Sequence, residues 1–141
     1  MGTPTPPHQD GFYFCLENNL AATAWLTLDD MDDENGTLHY VAGSHKFGIL
    51  DHQRSDVLGF SQGLTEANIG AYGKDVGCRL RRGDLLVHHC LTIHRAEANV
   101  SERLRRAFGA VYYGASDRFD AEKHRHYRAS VDSQRKEMGV I

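Results

Sequence analysis

The chain reads GDLLVHHCLTIHR over residues 83–95 and RRAFGAVYY over residues 105–113, and both stretches are typical of a β protein. Short apolar runs rich in β-branched and aromatic residues, bounded by turn residues, indicate strands. After a turn at Arg82-Gly83-Asp84, Leu85 to His89 is predicted as a strand that Leu91 to Arg95 continues past a kink. Residues 105–113 are predicted as a further, buried strand.

Two more strands are predicted upstream. Residues 20–28 are apolar and rich in strand formers, and residues 37–42 follow the acidic stretch 29–34 and the dipeptide Asn35-Gly36. Asn-Gly between two such runs is the strongest short-range signal for a β-hairpin. We therefore expect these two strands to pair with each other through a solvated turn.

The middle and the end of the chain lack a strong period. Residues 46–72 contain four glycines, and with the connection that follows we predict one long loop at about 46–76 with at most one helical turn. Residues 117–141 are charged and polar, with a weak apolar spacing at Phe119, Tyr127 and Val131. A surface helix and a disordered polar tail both fit this C-terminal segment.

Length and composition set the class of the protein. A chain of 141 residues has a one-domain length, and a domain of that size buries roughly 70% of its unfolded surface. The net charge of −3 provides no basic field for nucleic acid or an anionic membrane. We expect no signal peptide and no spanning helix, and hence a cytoplasmic location. The three cysteines lack Cys-x-x-Cys spacing, which predicts reduced thiols rather than disulfides or structural zinc.

His8, Asp10 and His94 form a candidate iron site. Two imidazoles and one carboxylate are the ligand set of a non-haem Fe(II) centre that keeps coordination positions open. Residues two apart on an extended segment point to the same side, so His8 and Asp10 can bind one ion while Gln9 faces away. The strand after His94 is expected to bring Arg105 alongside, and its planar guanidinium can bind a carboxylate cosubstrate through two hydrogen bonds.

Other interpretations of these residues remain. A His-x-Asp pair alone is most often surface polar sequence. His88 and His89 could replace His94, but only one of them can face inward from an apolar strand, so we expect one interior and one exposed histidine. The His-Glu-x-x-His and zinc deaminase motifs are absent, and Asn35 stands where a calcium loop requires glycine.

Several motifs, taken in order, resemble the phytanoyl-CoA dioxygenase family. They are His8-Gln9-Asp10, Ala24-Trp25, Asp29-Asp30 with Glu34-Asn35-Gly36, Gly43-Ser44-His45-Lys46, Arg82-Gly83-Asp84, and His94 with Asn99, Ser101, Arg105 and Arg106. The resemblance runs from about residue 8 to residue 113. It implies a mainly β protein, a double-stranded β-helix of jelly-roll or cupin type, that binds Fe(II) and 2-oxoglutarate. The usual reaction hydroxylates a small molecule or acyl chain and releases succinate and CO2.

By the same resemblance, His8, Asp10 and His94 match the iron ligands, and Arg105 matches the arginine that pairs with the distal carboxylate of 2-oxoglutarate. Trp25 matches a strand aromatic beside that pocket, although a large aromatic is more often plain core. Ala96 departs from the family, because many relatives have a small hydroxyl residue there. That departure removes one possible hydrogen bond to the cosubstrate.

Family members have a long segment ahead of the His-x-Asp motif, whereas seven residues precede His8 here. We therefore expect a β-helix that is incomplete at its N-terminus, with residues 1–141 as a single domain equivalent to the C-terminal portion of the family's domain. Uncovered sheet edges then favour self-association. Three hypotheses remain: a 2-oxoglutarate oxygenase acting on a small molecule, a cupin-type metal-binding protein without 2-oxoglutarate chemistry, and a truncated non-catalytic remnant.

Overall fold

Nine β-strands and two α-helices make up the regular structure of residues 2–55, 61–65, 68–137 and 139, which the computed structural model describes. The strands are β1 (Thr5–His8), β2 (Ala21–Thr27), β3 (Leu38–Val41), β4 (His52–Arg54), β5 (Gln62–Leu64), β6 (Asp75–Cys78), β7 (Leu85–His89), β8 (His94–Ala96) and β9 (Ala107–Tyr113). The helices are α1 (Asp10–Phe14) and α2 (Ala121–Glu137), and two 3-10 turns cover Ser44–Phe47 and Ile69–Tyr72. The prediction of a mainly β protein is confirmed.

Two antiparallel sheets form the body of the protein. One sheet has the strand order β1-β8-β3-β6, and the other has the order β7-β2-β9. Side chains from both sheets line one cavity, so the sheets face each other across it. The predicted strands at 20–28 and 85–89 are confirmed as β2 and β7. β7 and β8 follow each other in sequence but belong to different sheets, because the chain crosses between them at residues 90–93.

The predicted hairpin between residues 20–28 and 37–42 is wrong. Both edges of β2 are occupied, by β7 and by β9, so β3 cannot pair with it and pairs with β6 and β8 instead. The acidic link carries the chain from one sheet to the other and is held by Asn35, whose side chain is fully buried. Its amide donates to the carbonyl oxygens of Asp30 at 2.8 Å and Leu104 at 3.2 Å.

Strand β9 was expected to be buried and is mostly exposed. It is an edge strand, and one of its faces carries Phe108 and Tyr112 out to solvent. Its apolar residues do form a strand, but an apolar run predicts burial only when both faces of the sheet are covered. The outer face of this sheet is mostly exposed in the part of the chain that the structure describes, with the His45 ring 5.9 Å from the ring of His89 at its end.

The segment at 46–76 is more ordered than a loop. β4 pairs with β5, a 3-10 turn follows, and β6 begins at Asp75. Residues 56–60 and 66–67 of the predicted loop lie outside the described residues. At the C-terminus the helical alternative holds for residues 121–137, where α2 buries Val131 and Gln134. Neither of the two helices described has the length and apolar character needed to cross a bilayer.

Gln9 connects the start of the chain to three distant segments. Its side chain is fully buried and donates to the carbonyl oxygens of Gly48 at 2.9 Å and Leu91 at 2.7 Å. Its amide oxygen accepts from the backbone N–H of Leu50 at 2.8 Å. Because these three hydrogen bonds attach Gln9 to segments that are distant in sequence, Gln9 fixes the position of the residues on either side of it.

Gly36 is packed against the chain around Arg105. Its φ is +95°, and a Cβ there would lie 2.5 Å from both Nη1 of Arg105 and the carbonyl oxygen of Glu97. Gly83 has nearly the same backbone conformation, with φ +93°, but nothing within 4 Å of an added Cβ. Alanine substitutions at the two glycines therefore distinguish the cost of backbone strain from the cost of a steric clash.

We predict that Gly83→Ala costs about 1 kcal/mol of unfolding free energy, since it meets only the strain of the left-handed region. Gly36→Ala should cost roughly 3 kcal/mol or more, because its Cβ must also displace a backbone carbonyl and a guanidinium. Urea unfolding of both variants measures the difference. Equal losses of unfolding free energy in the two variants would show that the close packing of Gly36 against Arg105 does not contribute to stability.

Candidate metal centre

Two histidines lie opposite each other across one strand pair. The antiparallel register of β1 and β8 pairs His8 with His94, and their ring centroids are 4.0 Å apart. Nδ1 of His8 lies 2.9 Å from the carbonyl oxygen of Pro6, and Nδ1 of His94 lies 3.0 Å from that of Thr92. A carbonyl oxygen only accepts, so each Nδ1 carries a hydrogen and, in the neutral ring, Nε2 keeps the lone pair.

Asp10 reaches the same space from the start of a helix. Gln9 is extended, with φ −124° and ψ 127°, and Asp10 is the first residue of α1. The expectation that His8 and Asp10 share one extended segment is therefore wrong, yet their side chains converge. Oδ1 of Asp10 lies 3.6 Å from Nε2 of His8 and 3.5 Å from Nε2 of His94. One nitrogen or oxygen atom from each of the three residues lies within 4.8 Å of the others.

Burial and local charge determine the protonation of this cluster. Burial lowers the pKa of His94 to about 3, because little water is present to solvate an imidazolium, and nearby His8 acts in the same direction. Burial alone would raise the pKa of Asp10, but its close contacts with His8 and His88 outweigh burial and hold that pKa well below its usual range. At neutral pH the Asp10 carboxylate is ionised and His94 is neutral.

The donor set suits a transition metal. A carboxylate oxygen and imidazole lone pairs that converge at these distances repel one another unless a cation lies between them. Nitrogen and oxygen ligands in a two-histidine, one-carboxylate set are those of non-haem Fe(II) centres. The structure thus brings together the three residues that were selected from the sequence, in an arrangement that could hold such an ion.

Three side chains around Asp10 were not selected as functional from the sequence. Thr23 donates from Oγ1 to Oδ2 of Asp10 at 2.6 Å, and Nε2 of His88 lies 3.1 Å from the same oxygen. The Tyr40 hydroxyl lies 3.2 Å from Nδ1 of His88. The expectation of one interior and one exposed histidine is confirmed, because His88 is buried and His89 is exposed. Strand alternation could have indicated Thr23, which shares a face of β2 with Trp25.

Arg105 and Trp25 line the same cavity as the three candidate ligands. Nη1 of Arg105 donates to the carbonyl oxygens of Gly36 and, at 3.1 Å, Glu97. Burial lowers the pKa of Arg105, and no carboxylate among the described residues forms an ion pair with it. Trp25 presents a buried Nε1 for which the described part of the chain provides no hydrogen-bond partner. An indole N–H and a guanidinium therefore have donor capacity to offer within this cavity.

The cavity has a volume of about 240 Å³ and lies between the two sheets. That is slightly below the roughly 300–1,000 Å³ of pockets for drug-sized ligands, which favours a small molecule. Apolar side chains of Met31 and Leu38 complete the lining, together with Ala96. A small dicarboxylate fits this combination of two donors, a cation site and apolar walls.

Comparisons with known proteins show the family to which this chain is similar. The sequence profile of the family described as Phytanoyl-CoA dioxygenase (PhyH) matches residues 1–107. The peroxisomal phytanoyl-CoA dioxygenase of Mus musculus is 30% identical over 118 residues, which are 79% of this chain and 34% of that protein. The probable alpha-ketoglutarate-dependent hypophosphite dioxygenase of Stutzerimonas stutzeri is 28% identical over 124 residues, which are 82% of this chain and 41% of that protein.

A solved structure shares the fold. The epimerase SnoN, in complex with Fe3+, alpha ketoglutarate and nogalamycin RO, superposes with a TM-score of 0.66 and 32% identity over 84% of this chain and 45% of SnoN. The two facing sheets are accordingly those of a double-stranded β-helix. This chain spans less than half the length of each of these relatives.

We predict that divalent metal stabilises the folded chain, since the three ligands converge only after folding. Co2+ or Mn2+ at a hundredfold excess over its Kd should add about 2.7 kcal/mol and raise Tm by roughly 10 °C. Asp10→Ala should abolish the shift, and Asp51→Ala, which removes an exposed carboxylate, should keep it. An equal thermal shift in Asp10→Ala and the unaltered protein would contradict the site.

Proposed function

The chain belongs to the phytanoyl-CoA dioxygenase family, and from this premise we propose that it is a non-haem Fe(II)- and 2-oxoglutarate-dependent oxygenase. We propose hydroxylation of a small molecule or acyl-type substrate as its reaction, with release of succinate and CO2. One observation carries the proposal. His8, Asp10 and His94 converge in a cavity that also receives the side chains of Arg105 and Trp25.

In the proposed mechanism His8, Asp10 and His94 would hold the iron. When bound, iron and 2-oxoglutarate would use O2 for an oxidative decarboxylation that yields succinate and CO2 and hydroxylates a substrate C–H bond. The protein contributes position and the exclusion of water. His94 remains neutral because it is buried, so its lone pair stays available at neutral pH.

Arg105 and Trp25 orient the cosubstrate in this proposal. The guanidinium of Arg105 remains charged even when burial lowers its pKa, and a carboxylate would supply the counter-charge that the described residues do not. The indole N–H of Trp25 is a buried donor whose partner a bound carboxylate can also provide. Ala96 lines the cavity without a hydroxyl to add a further hydrogen bond.

The two alternative functions are less well supported. A cupin-type metal protein without 2-oxoglutarate chemistry needs the three ligands but not a half-buried arginine beside them. A non-catalytic remnant has no requirement for three converging ligands. The placement of Arg105 within the metal cavity therefore favours the oxygenase.

We also propose that residues 1–141 act as a single oxygenase-like domain equivalent to the C-terminal portion of the family's domain. We further propose a cytoplasmic location, which is supported by the free thiols of Cys15, Cys78 and Cys90. Reducing compartments maintain cysteines in that state.

The main test of the proposed function is a single-turnover assay. Fe(II) and 2-oxoglutarate are added anaerobically, O2 follows, and succinate is measured. Succinate above the level of an Asp10→Ala control supports the oxygenase. Metal binding without any succinate above that control supports the cupin-type alternative instead.

We predict that Arg105→Ala raises the KM for 2-oxoglutarate by roughly 30- to 150-fold, which corresponds to about 2–3 kcal/mol for a charge-assisted hydrogen-bonded pair. Trp25→Phe should raise that KM by roughly 3- to 10-fold, as expected when one neutral donor is lost. Arg106→Ala is the matched control, because Arg106 binds Asp29 at the surface. An Arg105→Ala variant with an unchanged KM would exclude Arg105 from cosubstrate binding.

Besides a small-molecule substrate, we propose a second copy of this chain as a partner. In this proposal the second copy covers the outer face of the β7-β2-β9 sheet. The strand registers align three rows on this face: Leu85, Leu26 and Phe108; Val87, Ala24 and Ala110; and His89, Ala22 and Tyr112. Leu85, Val87, Phe108 and Tyr112 are each between 58% and 65% exposed. The outer edges of β7 and β9 have no strand partner within the described residues. Two copies related by a twofold axis can cover such a face and pair such an edge.

We predict that the unaltered protein sediments as a dimer and that Val87→Glu sediments as a monomer, because a buried carboxylate without a partner opposes the interface. Val100→Glu is the matched control. Val100 is 70% exposed and lies outside the strands, so its substitution should leave the dimer intact. Sedimentation as a monomer in the absence of any substitution would overturn this proposal.

A further inference from the structure

We propose that His88 is a positioning residue for Asp10: together with Thr23 it holds one carboxylate oxygen, so that the other faces the two histidines. The inference rests on the proposed function, since it concerns the same metal centre. It assigns a role to a buried histidine that is not among the candidate metal ligands.

The two oxygens of Asp10 have different surroundings. Oδ2 lies 2.6 Å from Oγ1 of Thr23 and 3.1 Å from Nε2 of His88. Oδ1 is the oxygen that lies 3.6 Å from His8 Nε2 and 3.5 Å from His94 Nε2. Two hydrogen bonds to Oδ2 fix the plane of the carboxylate and thereby direct Oδ1 toward the metal.

Hydrogen-bond chemistry determines the tautomer of His88. An ionised carboxylate only accepts, so Nε2 of His88 must carry the hydrogen that it shares with Oδ2. If the ring carries no second hydrogen, Nδ1 is then an acceptor to which the Tyr40 hydroxyl, 3.2 Å away, can donate. The result is a directed chain from Tyr40 through His88 to Asp10. Every donor in this chain has an acceptor, which is the condition for a buried polar network to be stable.

The chain joins the two sheets. Tyr40 pairs with His94 in the register of β3 and β8, whereas His88 pairs with Thr23 in the register of β7 and β2. The ring of Tyr40 stacks near that of His94, with centroids 5.7 Å apart and planes 20° apart. Side chains of the β7-β2-β9 sheet therefore hold the carboxylate of Asp10, which lies beside two histidines of the facing sheet. Apolar residues at positions 23 and 88 could pack there but could not orient Asp10.

The test compares metal binding by the metal-free full chain, titrated with Co2+, and by three variants of it. His88→Leu should weaken Co2+ binding by 10- to 100-fold, the usual effect of removing such a partner. His88→Gln should restore binding to within about threefold, because its amide can donate to Oδ2 and accept from Tyr40. His126→Leu, which replaces an exposed histidine of α2 outside the cavity, should bind Co2+ as the unaltered chain does.

A second readout is the absorption spectrum of bound Co2+, which reports the geometry of the ligands. We expect His88→Leu to alter it and His88→Gln to reproduce the original spectrum. If His88→Leu does not fold by circular dichroism, Tyr40→Phe takes its place. This variant keeps the packing, removes the hydroxyl that orients His88, and should weaken Co2+ binding by roughly 3- to 10-fold.

The outcomes separate the two proposals. Failure of the unaltered chain to bind Co2+ would overturn the proposed function and this inference with it. Binding by the unaltered chain and equal binding by His88→Leu would overturn only the positioning role. Complete loss of binding in both His88→Leu and His88→Gln would identify His88 as a direct ligand, which also overturns the positioning role.

Discussion

The antiparallel register between β1 and β8 places His8 opposite His94, and the geometry of the centre depends on this pairing. Asp10 follows His8 by two residues, so its position is set as soon as Gln9 between them is anchored. Gln9 achieves this with three hydrogen bonds to backbone groups of residues 48, 50 and 91. A residue that faces away from the cavity thus supports the two that face into it.

Polar groups are concentrated where the two sheets meet. The pKa shifts of Asp10 and His94 keep a carboxylate and a neutral imidazole side by side in a buried space. Such an arrangement is costly unless each group has a partner, and most of the partners come from neighbouring strands. Arg105 and Trp25 are the exceptions. The guanidinium of Arg105 has no acidic partner among the described residues, and the buried indole N–H of Trp25 has no hydrogen-bond partner among them. Polar groups that line a cavity without a protein partner are characteristic of ligand-binding sites.

The sequence predicted more of the site than of the sheet pairing. His8, Asp10, His94, Arg105 and Trp25 were all selected from residue chemistry and resemblance, and all line one cavity. The Asn35-Gly36 hairpin was wrong, since a local turn signal cannot show that both edges of β2 are already taken by distant strands. The exposure of β9 does not follow from the sequence for a similar reason: an apolar run does not reveal whether both faces of the sheet are covered.

The sequence by itself determined which side chains are available for chemistry, because donor atoms, charges and strand propensities are properties of individual residues and their near neighbours. Tertiary structure alone decided that Thr23 and His88 bind one oxygen of Asp10 while His8 and His94 face the other. The difference is physical. Strand register is set by hydrogen bonds and packing between segments up to about 90 residues apart, and the two oxygens of one carboxylate become distinct only when both sheets are in place.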